Sequence, residues 1–322
     1  MSTATERDAA ALAASRGTAG PVPPSRTGRT SGRRREGWAA WILALPFCLL
    51  FLVFTLWPVL QSLFMSFTDT KAKDLKSPFA VDIIGIDNYT RAFSDETFLH
   101  AIRNTAYFVL LGVPLTMILA LAAAVALDRG ITKFRSLFRL GFYTPVVTSI
   151  VAVAVVWQFL LQDDFGLINT ALGWVGIDGP NWLGDANWSM PGLIMMASWR
   201  NFGTGMIIFL AGLQAVPWVL HEAASIDGAN GWQRFRHVTL PLLRPVILFV
   251  SVTTIIGYLQ FFEEPFVMTN GGPLDSTISM SLYTYKQFGF GNYGYAAALG
   301  YVIFVAVAVI TALQFRALRE NT

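Results

Sequence analysis

Long stretches without a charged side chain limit the fold of this chain more than any other feature of its sequence. Five of them contain no Asp, Glu, Lys or Arg, and a sixth, residues 186–220, contains only Arg200. A helix needs about 20 mainly apolar residues to cross a bilayer, because the hydrocarbon core is roughly 30 Å thick. The sequence therefore predicts six membrane-spanning helices, at about residues 38–66, 104–127, 139–162, 190–215, 243–265 and 293–316.

The composition indicates a membrane protein and excludes several soluble classes. Hydrophobic residues make up 54% of the 322 residues and charged residues 13%, whereas an average soluble domain is roughly 25% charged. So few charges cannot cover a water-exposed surface. The one cysteine, Cys48, cannot form an internal disulfide. We therefore expect an all-α integral membrane protein, not a cytosolic enzyme, a disulfide-stabilised secreted protein or a disordered regulator.

The basic residues are distributed unevenly along the chain, and this predicts its orientation. If the amino terminus is cytoplasmic and six spans alternate, 16 of the 23 Lys and Arg residues are cytoplasmic, 6 are external and Arg200 lies in a span. Because cytoplasmic loops are enriched in Lys and Arg, both termini are predicted to be cytoplasmic. Residues 1–36 contain few large apolar side chains and are predicted to be a disordered tail, followed by a membrane domain at 37–318.

The catalytic and cofactor motifs tested against this sequence are absent or incomplete. There is no G-x-x-x-x-G-K-[ST] sequence, which excludes a P-loop. Residues 289–294 match G-x-G-x-x-G, but no strand–turn–helix unit is predicted around them. His221 and Glu222 begin the zinc-protease pattern, and Ser225 occupies the place of its second histidine. We expect a non-catalytic chain that binds no metal or cofactor itself and has no nucleic-acid partner.

The predicted cytoplasmic segment between spans four and five, residues 218–242, has the pattern of a helical hairpin. Its sequence predicts a short helix, a turn at 228–231 and a second amphipathic stretch that ends at Pro241. Trp232, Phe235 and Val238 recur every three residues and can share one helix face. The segment is either a protruding docking element or a helix that lies on the lipid headgroups.

This segment resembles the EAA loop of the permease subunits of bacterial binding-protein-dependent ABC importers. In that family Glu-Ala-Ala is followed by a Gly four residues on and by a hydrophobic-x-Leu-Pro ending. The residues that match are Glu222, Ala223, Ala224, Gly228, Val238, Leu240 and Pro241. The resemblance implies the fold of a type I importer permease, in which this loop is the coupling helix that docks in a cleft of an ATPase subunit. We refer to residues 218–242 as the coupling segment.

The resemblance also implies roles for individual residues of the coupling segment. Glu222 and Asp227 are expected to make polar contacts with the ATPase. Ala223, Ala224 and Gly228 are expected to allow close backbone approach. Ala229, Leu240 and Pro241 are also expected to take part in coupling to the ATPase.

Weaker similarities extend over roughly residues 38–318 and favour the carbohydrate-importing branch. Asn270-Gly271-Gly272-Pro273 is typical of the first permease of a maltose-type pair. The resemblance implies import of a mono- or oligosaccharide across the bacterial cytoplasmic membrane. It implies as partners a second homologous permease, two copies of an ATPase that binds ATP and Mg, and an external solute-binding protein. Span five has Phe261-Phe262-Glu263-Glu264 where many sugar permeases have Phe-Asp, which leaves the substrate open.

Other functions remain open at this point. An ion-coupled carrier would use a buried charge such as Arg200, although no paired inverted repeat of broken helices is apparent. An ABC importer of a non-sugar solute, such as a phosphorylated polyol, would show the same coupling segment. A membrane-embedded enzyme would need a clustered catalytic set, and none is visible.

Ionisable residues within predicted spans mark a candidate substrate pathway, because they are costly in lipid. We expect Arg200 to form a structural or gating ion pair with one of the two carboxylates in the outer half of the bilayer, with Glu264 as the partner to test, unless Glu263 and Glu264 simply end span five at the interface. Sugar sites combine aromatic faces with hydrogen-bonding groups. The further candidates of this kind are Trp199, Asn201, Tyr258, Gln260 and Phe261.

Helical spacing places several of these candidates on one stripe of span five. Thr253, Gly257, Gln260 and Glu264 can share that face, and Gly257 is expected to allow close approach of a neighbouring helix. Packing of the helix against others, hidden from lipid, explains the same stripe almost as well as a pathway does.

Overall fold

A computed structural model describes residues 30–76, 81–130 and 134–319 of the chain. Over these ranges the protein is helical, apart from loops and an isolated antiparallel bridge between Thr68 and Ile83. Four helices are long and apolar enough to cross a membrane, and two bent helix pairs would bring the number to six if each pair is one span. The predicted all-α membrane class is therefore confirmed.

The α-helices are numbered here in chain order over the described ranges. They are α1 (Thr30–Phe51), α2 (Trp57–Ser66), α3 (Asp87–Ser94), α4 (Glu96–Val125), α5 (Arg135–Val147), α6 (Ile150–Leu160), α7 (Leu167–Trp174), α8 (Ser189–Gln214), α9 (Trp218–Ile226), α10 (Gly231–Arg234), α11 (Leu240–Leu242), α12 (Arg244–Leu259), α13 (Glu263–Met268), α14 (Met280–Gly289) and α15 (Tyr293–Arg319). Wider π-helical turns at Leu52–Leu56, Ala126–Gly130 and Phe235–Thr239 continue α1, α4 and α10.

The first helix begins earlier than the sequence predicts. Helix α1 starts at Thr30, so residues 30–36 of the predicted disordered tail are helical, while residues 1–29 lie outside the described residues. Arg and Glu are good helix formers, and the run Arg33 to Glu36 lets the apolar helix that follows extend toward the amino terminus.

Helices α4 and α8 pack closely against each other, and α12 and α5 pack beside them. Their shared core contains fully buried residues such as Phe108, Leu193 and Met196. Within it, the hydroxyl of Thr116 lies 2.7 Å from that of Tyr258 and donates to Ser198 Oγ at 3.1 Å. Because lipid supplies little driving force for helix association, such polar contacts help to hold α4, α8 and α12 together.

The predicted third span is broken, so the expectation of one continuous helix at 139–162 is wrong. Helices α5 and α6 meet at an angle of 100°. The hydroxyl of Thr144 donates to the carbonyl of Leu140 at 2.8 Å, and that of Thr148 donates to the carbonyl of Thr144 at 2.8 Å. Hydroxyl groups bonded in this way compete with backbone hydrogen bonds and bend helices, and the break begins at Thr148, which is extended with φ of −79° and ψ of 148°.

The predicted fifth span, 243–265, is also divided. Helix α12 ends at Leu259, three residues leave helical geometry, and α13 begins at Glu263. Proline is favoured in the first turn of a helix and disfavoured in its interior, so Pro265 favours a new helix here over a continuing one. At its other end, α12 is bent by 68° from Gly231–Leu242, the second half of the coupling segment.

Asp95, directly before α4, links three helices through its carboxylate. Its Oδ1 accepts hydrogen bonds from the backbone N–H groups of Thr97 (3.0 Å) and Phe98 (3.2 Å), which caps α4. Its Oδ2 accepts from the hydroxyls of Tyr283 in α14 (2.5 Å) and Tyr295 in α15 (2.9 Å). We call Asp95, Tyr283 and Tyr295 the Asp95 cluster.

These contacts shift the pKa values within the Asp95 cluster. Burial alone raises the pKa of Asp95, but the hydrogen bonds from both tyrosines and from the backbone outweigh it, so the pKa lies below its ordinary value of 3.8. Burial and the hydrogen bond to Asp95 raise the pKa of Tyr283 to about 12. Asp95 is therefore an acceptor and Tyr283 a donor throughout the physiological pH range.

The loop between α13 and α14, residues 269–279, is held by side chains from neighbouring helices. Asn104 of α4 donates to the carbonyls of Asp275 (2.8 Å) and Ile278 (3.0 Å). Nζ of Lys286 in α14 donates to another loop carbonyl at 2.9 Å. These bonds satisfy backbone acceptors that have no partner in a regular element.

Candidate functional site

A polar cavity of about 330 Å³ lies between α4, α8 and α12, next to the break that precedes α13. Its lining combines two acidic residues and one basic residue with amides, hydroxyls and aromatic rings. It includes Thr116, Arg200, Asn201, Thr204, Thr253, Thr254, Gly257, Tyr258, Gln260, Phe261, Glu263 and Glu264. In a membrane-spanning region such a lining does not face lipid, because polar and charged groups there face the bundle interior or a water-filled cavity.

Eight of the nine residues predicted for the substrate pathway are brought together in this cavity. They are Arg200, Asn201, Gly257, Tyr258, Gln260, Phe261, Glu263 and Glu264. They come from only two regions, one turn of α8 and the end of α12 with the break after it. The break turns the chain beyond Leu259, and the side chains after it still reach the same cavity.

Trp199 is the exception among the predicted pathway residues. Its ring lies 5.7 Å from that of Trp157, and it lines a different, mainly apolar cavity beside the break between α5 and α6. Neighbouring residues on a helix point about 100° apart, so Trp199 and Arg200 face different sides of α8. The structure therefore does not group Trp199 with the other candidates.

The predicted ion pair between Arg200 and Glu264 is not formed. The salt bridge found among the described residues joins Arg135 to Asp128 at 3.5 Å. Arg200 Nη1 instead donates to Asn201 Oδ1 at 3.2 Å. Nε of Arg200 and Oε2 of Glu264 are both buried and have no hydrogen-bond partner. The two side chains line the same cavity, but neither forms a hydrogen bond or a salt bridge with the other.

The aromatic candidates are part of the helix core as well as of the cavity wall. Tyr258 and Phe261 are almost fully buried, and the ring of Phe261 stacks on that of Phe108 at 3.9 Å between centroids. Tyr258 fits because Gly112 of α4 has no side chain, since a Cβ at Gly112 would lie 2.8 Å from the tyrosine ring. Gly257, by contrast, faces open space, so its predicted role in close helix approach is wrong.

Three hydroxyl residues of the cavity were not found from the sequence. Thr116 lies on α4, Thr204 on α8 and Thr254 on α12. Threonine is common in membrane helices as a packing residue, so its presence alone does not mark a pathway. Thr204 follows Arg200 by four residues, and this helical spacing is the signal that could have identified it.

The coupling segment forms the predicted helical hairpin. Helix α9 ends at Ile226, and Gly228 adopts a left-handed conformation with φ of 82°. The Gly228 N–H donates to the Ser225 carbonyl at 3.1 Å, and the Ala229 N–H donates to the Ala224 carbonyl at 2.9 Å. This is a Schellman ending, in which glycine takes the left-handed position without strain.

The second half of the hairpin is capped by its own side chains. Asn230 Oδ1 accepts from the Gln233 N–H at 2.9 Å, and Gln233 Oε1 accepts from the Asn230 N–H at 2.8 Å. This reciprocal capping box starts α10. The coupling segment therefore has a defined shape that follows from residues close together in the sequence.

The surface of the coupling segment is unusually apolar for an exposed hairpin. Trp218, Ile226 and Trp232 are 74%, 82% and 67% exposed. The acidic pair Glu222 and Asp227 lies at the surface of the same hairpin. Exposed apolar area with a few charges beside it is characteristic of a protein–protein interface.

The sequence matches a known family and several characterised relatives. A family model for the inner membrane component of binding-protein-dependent transport systems matches residues 112–319. The lactose transport system permease protein of Rhizobium radiobacter is 37% identical over 301 residues, which cover 92% of this chain and 99% of that protein. The arabinooligosaccharides transport system permease protein of Bacillus subtilis is 32% identical over 312 residues, covering 93% and 95%.

The fold is also similar to that of a solved transporter. A chain of the bacterial alginate ABC transporter, crystallised in complex with an alginate pentasaccharide-bound periplasmic protein, superposes with a TM-score of 0.75. Its sequence is 26% identical, and the match covers 91% of this chain and 98% of that chain.

Proposed function

Because the chain belongs to the family of inner membrane components of binding-protein-dependent transport systems, we propose that it is the permease subunit of an ABC importer that carries a sugar across the bacterial cytoplasmic membrane. The observation that carries this proposal is the combination of that family with relatives whose substrates are lactose and arabinooligosaccharides. An ion-coupled carrier and a membrane enzyme are not favoured, because neither belongs to this family.

The coupling segment receives the conformational change that ATP hydrolysis drives in the ATPase subunit. An ATPase subunit, which binds ATP and Mg, covers the exposed apolar residues of the segment, and Glu222 and Asp227 contact its polar rim. Ala223, Ala224 and Ala229 keep the contact close, and Leu240 and Pro241 end the hairpin before the bend into α12. Closure of the ATPase then moves the hairpin, and the spans open alternately to the two sides of the membrane.

The polar cavity is this chain's part of the solute pathway. Its amides, hydroxyls and charged groups can replace the water that hydrates a sugar, and Phe261 and Tyr258 offer an apolar surface for a sugar ring. The cavity opens at the surface of a single chain, and a second, homologous permease completes the pathway. An external solute-binding protein delivers the sugar, as the complexed alginate transporter suggests.

The test is ATP-dependent sugar uptake by the complete complex in proteoliposomes. The native complex is expected to take up a neutral oligosaccharide such as lactose only with ATP, and an ATPase is expected to co-purify with this chain. Gly228→Trp places a bulky side chain on the coupling segment and is expected to reduce ATPase co-purification at least about tenfold, as loss of a central interface contact does. Glu222→Lys should weaken it less.

Gly176→Trp is the matched control for Gly228→Trp. Gly176 is also left-handed, with φ of 77°, and also has open space around it, but it lies in the loop after α7. The backbone strain is therefore similar, while the ATPase contact should be unchanged. Sugar uptake without ATP, or purification of the native chain with no ATPase, would contradict the proposal.

A further inference from the structure

Arg200 and Glu264 leave two polar atoms unsatisfied in the same cavity. Nε of Arg200 and Oε2 of Glu264 are buried without a hydrogen-bond partner, and both side chains line the polar cavity. Glu264 is 5% exposed, so its carboxyl has lost its water almost completely. Buried polar groups are rarely left without a partner, because the loss of their hydration is not compensated. A partner for both groups is therefore expected during the transport cycle.

The two groups differ in what they can bind. A guanidinium only donates hydrogen bonds, and an ionised carboxylate only accepts them. Asn201 Oδ1 accepts from Nη1 of Arg200 at 3.2 Å and so holds the guanidinium in place. No residue of the described chain forms an ion pair that neutralises either group. A ligand that serves both must therefore offer an acceptor to Arg200 and a donor to Glu264.

A pair of neighbouring hydroxyls on a sugar has this property. One hydroxyl accepts from Arg200 and the other donates to Glu264, and each retains a further hydrogen-bonding capacity. The cavity of about 330 Å³ is at the lower end of ligand-binding sites, which run from about 300 to 1,000 Å³, so it accommodates about one sugar ring. Phe261, in the same wall, provides an apolar contact for that ring.

We infer that Arg200 and Glu264 together bind two adjacent hydroxyls of a neutral sugar and so determine which sugars the pathway accepts. The inference rests on the proposed function and names the residues and the chemical class within it. A uronic acid could bind Arg200 but would bring its own carboxylate close to Glu263 and Glu264, and like charges in a site of low dielectric repel each other. The pathway should therefore favour neutral sugars over acidic ones.

The experiment measures uptake by the complete complex of lactose, maltose, the monodeoxy derivatives of each, and digalacturonate. The native complex should transport a neutral disaccharide and discriminate by about 10- to 100-fold in kcat/KM against the derivatives that lack one of two adjacent hydroxyls, the range expected for hydrogen bonds to charged groups. Arg200→Met should abolish discrimination at one of these hydroxyls, and Glu264→Met at its neighbour.

Additional variants separate recognition from folding. Glu264→Gln keeps an acceptor and should retain part of the discrimination that Glu264→Met loses. Arg139→Met and Glu96→Met remove the same groups from exposed positions outside the cavity, and each should leave uptake within about twofold of native, as surface substitutions do.

The outcomes distinguish this inference from the proposed function. If the variants lower uptake of every sugar by one common factor, or if the native complex prefers digalacturonate, the diol inference is overturned while ATP-dependent sugar import stands. If the native complex takes up none of the sugars although ATPase is bound, the proposed function fails and the inference fails with it. Loss of discrimination confined to one hydroxyl per variant supports both.

Discussion

The Asp95 cluster and the coupling segment are built in opposite ways. The hydrogen bonds of the Asp95 cluster join residues that are 188 and 200 positions apart in the sequence. Those of the coupling segment that involve Asn230, Gln233 and His237 join residues three or four positions apart. The first region is tied to the rest of the molecule, whereas the second is shaped by its own residues.

The two regions also differ in what covers their apolar side chains. Beside the Asp95 cluster, Phe98 and Leu282 are fully buried within the chain. In the coupling segment, Ile226 and Trp218 are mostly exposed. Under the proposed function an ATPase subunit covers the exposed apolar residues of the coupling segment, so substitutions there should affect coupling, while substitutions in the Asp95 cluster should affect stability.

The largest effect on ATP-driven uptake is expected for Ile226→Asp. Ile226 is 82% exposed next to the left-handed turn at Gly228. A charge there must be desolvated when the ATPase docks, so ATP-driven uptake should fall by about tenfold or more. The melting temperature of the purified chain should not change, because the residue makes no buried contact in the fold. Uptake assays and thermal unfolding measured on the same preparation check both statements.

Ile177→Asp is the control for that comparison. Ile177 is also exposed and lies in the loop after α7, away from the coupling segment in the sequence. Its substitution should leave ATPase co-purification unchanged. Equal losses of coupling in both variants would show that exposure of an apolar residue, and not its position in the coupling segment, determines the effect.

The largest effect on stability is expected for Asp95→Ala. The substitution removes the cap of α4 and the acceptor of two tyrosine hydroxyls. We expect the free energy of unfolding to fall by about 2–4 kcal/mol, and by about 1–2 kcal/mol for Asp95→Asn, which still caps the helix. Unfolding in detergent followed by circular dichroism measures the difference. An equal cost for both would mean that the charge contributes nothing.

The same residue gives a pH prediction. Because the pKa of folded Asp95 lies below 3.8, its ionised form stabilises the fold fully above that value, and this stabilisation is lost as the pH falls below it. Native protein should therefore lose more stability between pH 5 and about pH 3 than Asp95→Asn does. Parallel acid dependence of the two proteins would contradict the assignment.

The difference between the two regions also explains what the sequence could predict. The coupling segment was predicted as a hairpin because Glu222, Gly228 and Pro241 stand within one short stretch whose signals are local. The Asp95 cluster was not predicted, because Asp95 precedes α4, the two tyrosines lie in α14 and α15, and nothing in the sequence pairs them. The membrane class followed from composition alone.

The polar cavity was predicted from the sequence only in part. Its charged residues were predicted because a charge in an apolar run is conspicuous, and Arg200 and Glu264 do share the cavity. The ion pair between them was wrong, because sequence spacing gives the face of a helix but not the distance between helices. The break between α5 and α6 was missed because the hydroxyl bonds of Thr144 and Thr148 that accompany it are not visible as a change in hydropathy.

A smaller effect is expected for Asn104→Ala. The side chain donates to the carbonyls of Asp275 and Ile278, and its loss leaves the Asp275 carbonyl with only the backbone hydrogen bond from Ile278 at 3.2 Å among the described residues. We expect a loss of about 1–2 kcal/mol, with faster amide exchange in the loop at 269–279. His100→Ala, at an exposed position of the same helix, should change neither quantity. Unaltered exchange in the Asn104 variant would show that other contacts hold the loop.

The smallest effect on the whole molecule is expected for Asn230→Ala. Loss of a helix cap costs about 1 kcal/mol, and here that cost falls on α10, whose other bonds are local. Amide exchange should therefore increase in Gly231–Arg234, while the melting temperature stays that of the native protein. Gln233→Ala removes only the reciprocal half of the capping box and should have less effect. A fall in melting temperature as large as that of Asp95→Ala would mean that the coupling segment unfolds together with the membrane helices. A local loss of stability in α10 lowers the stability of the whole fold only if the two unfold as one unit.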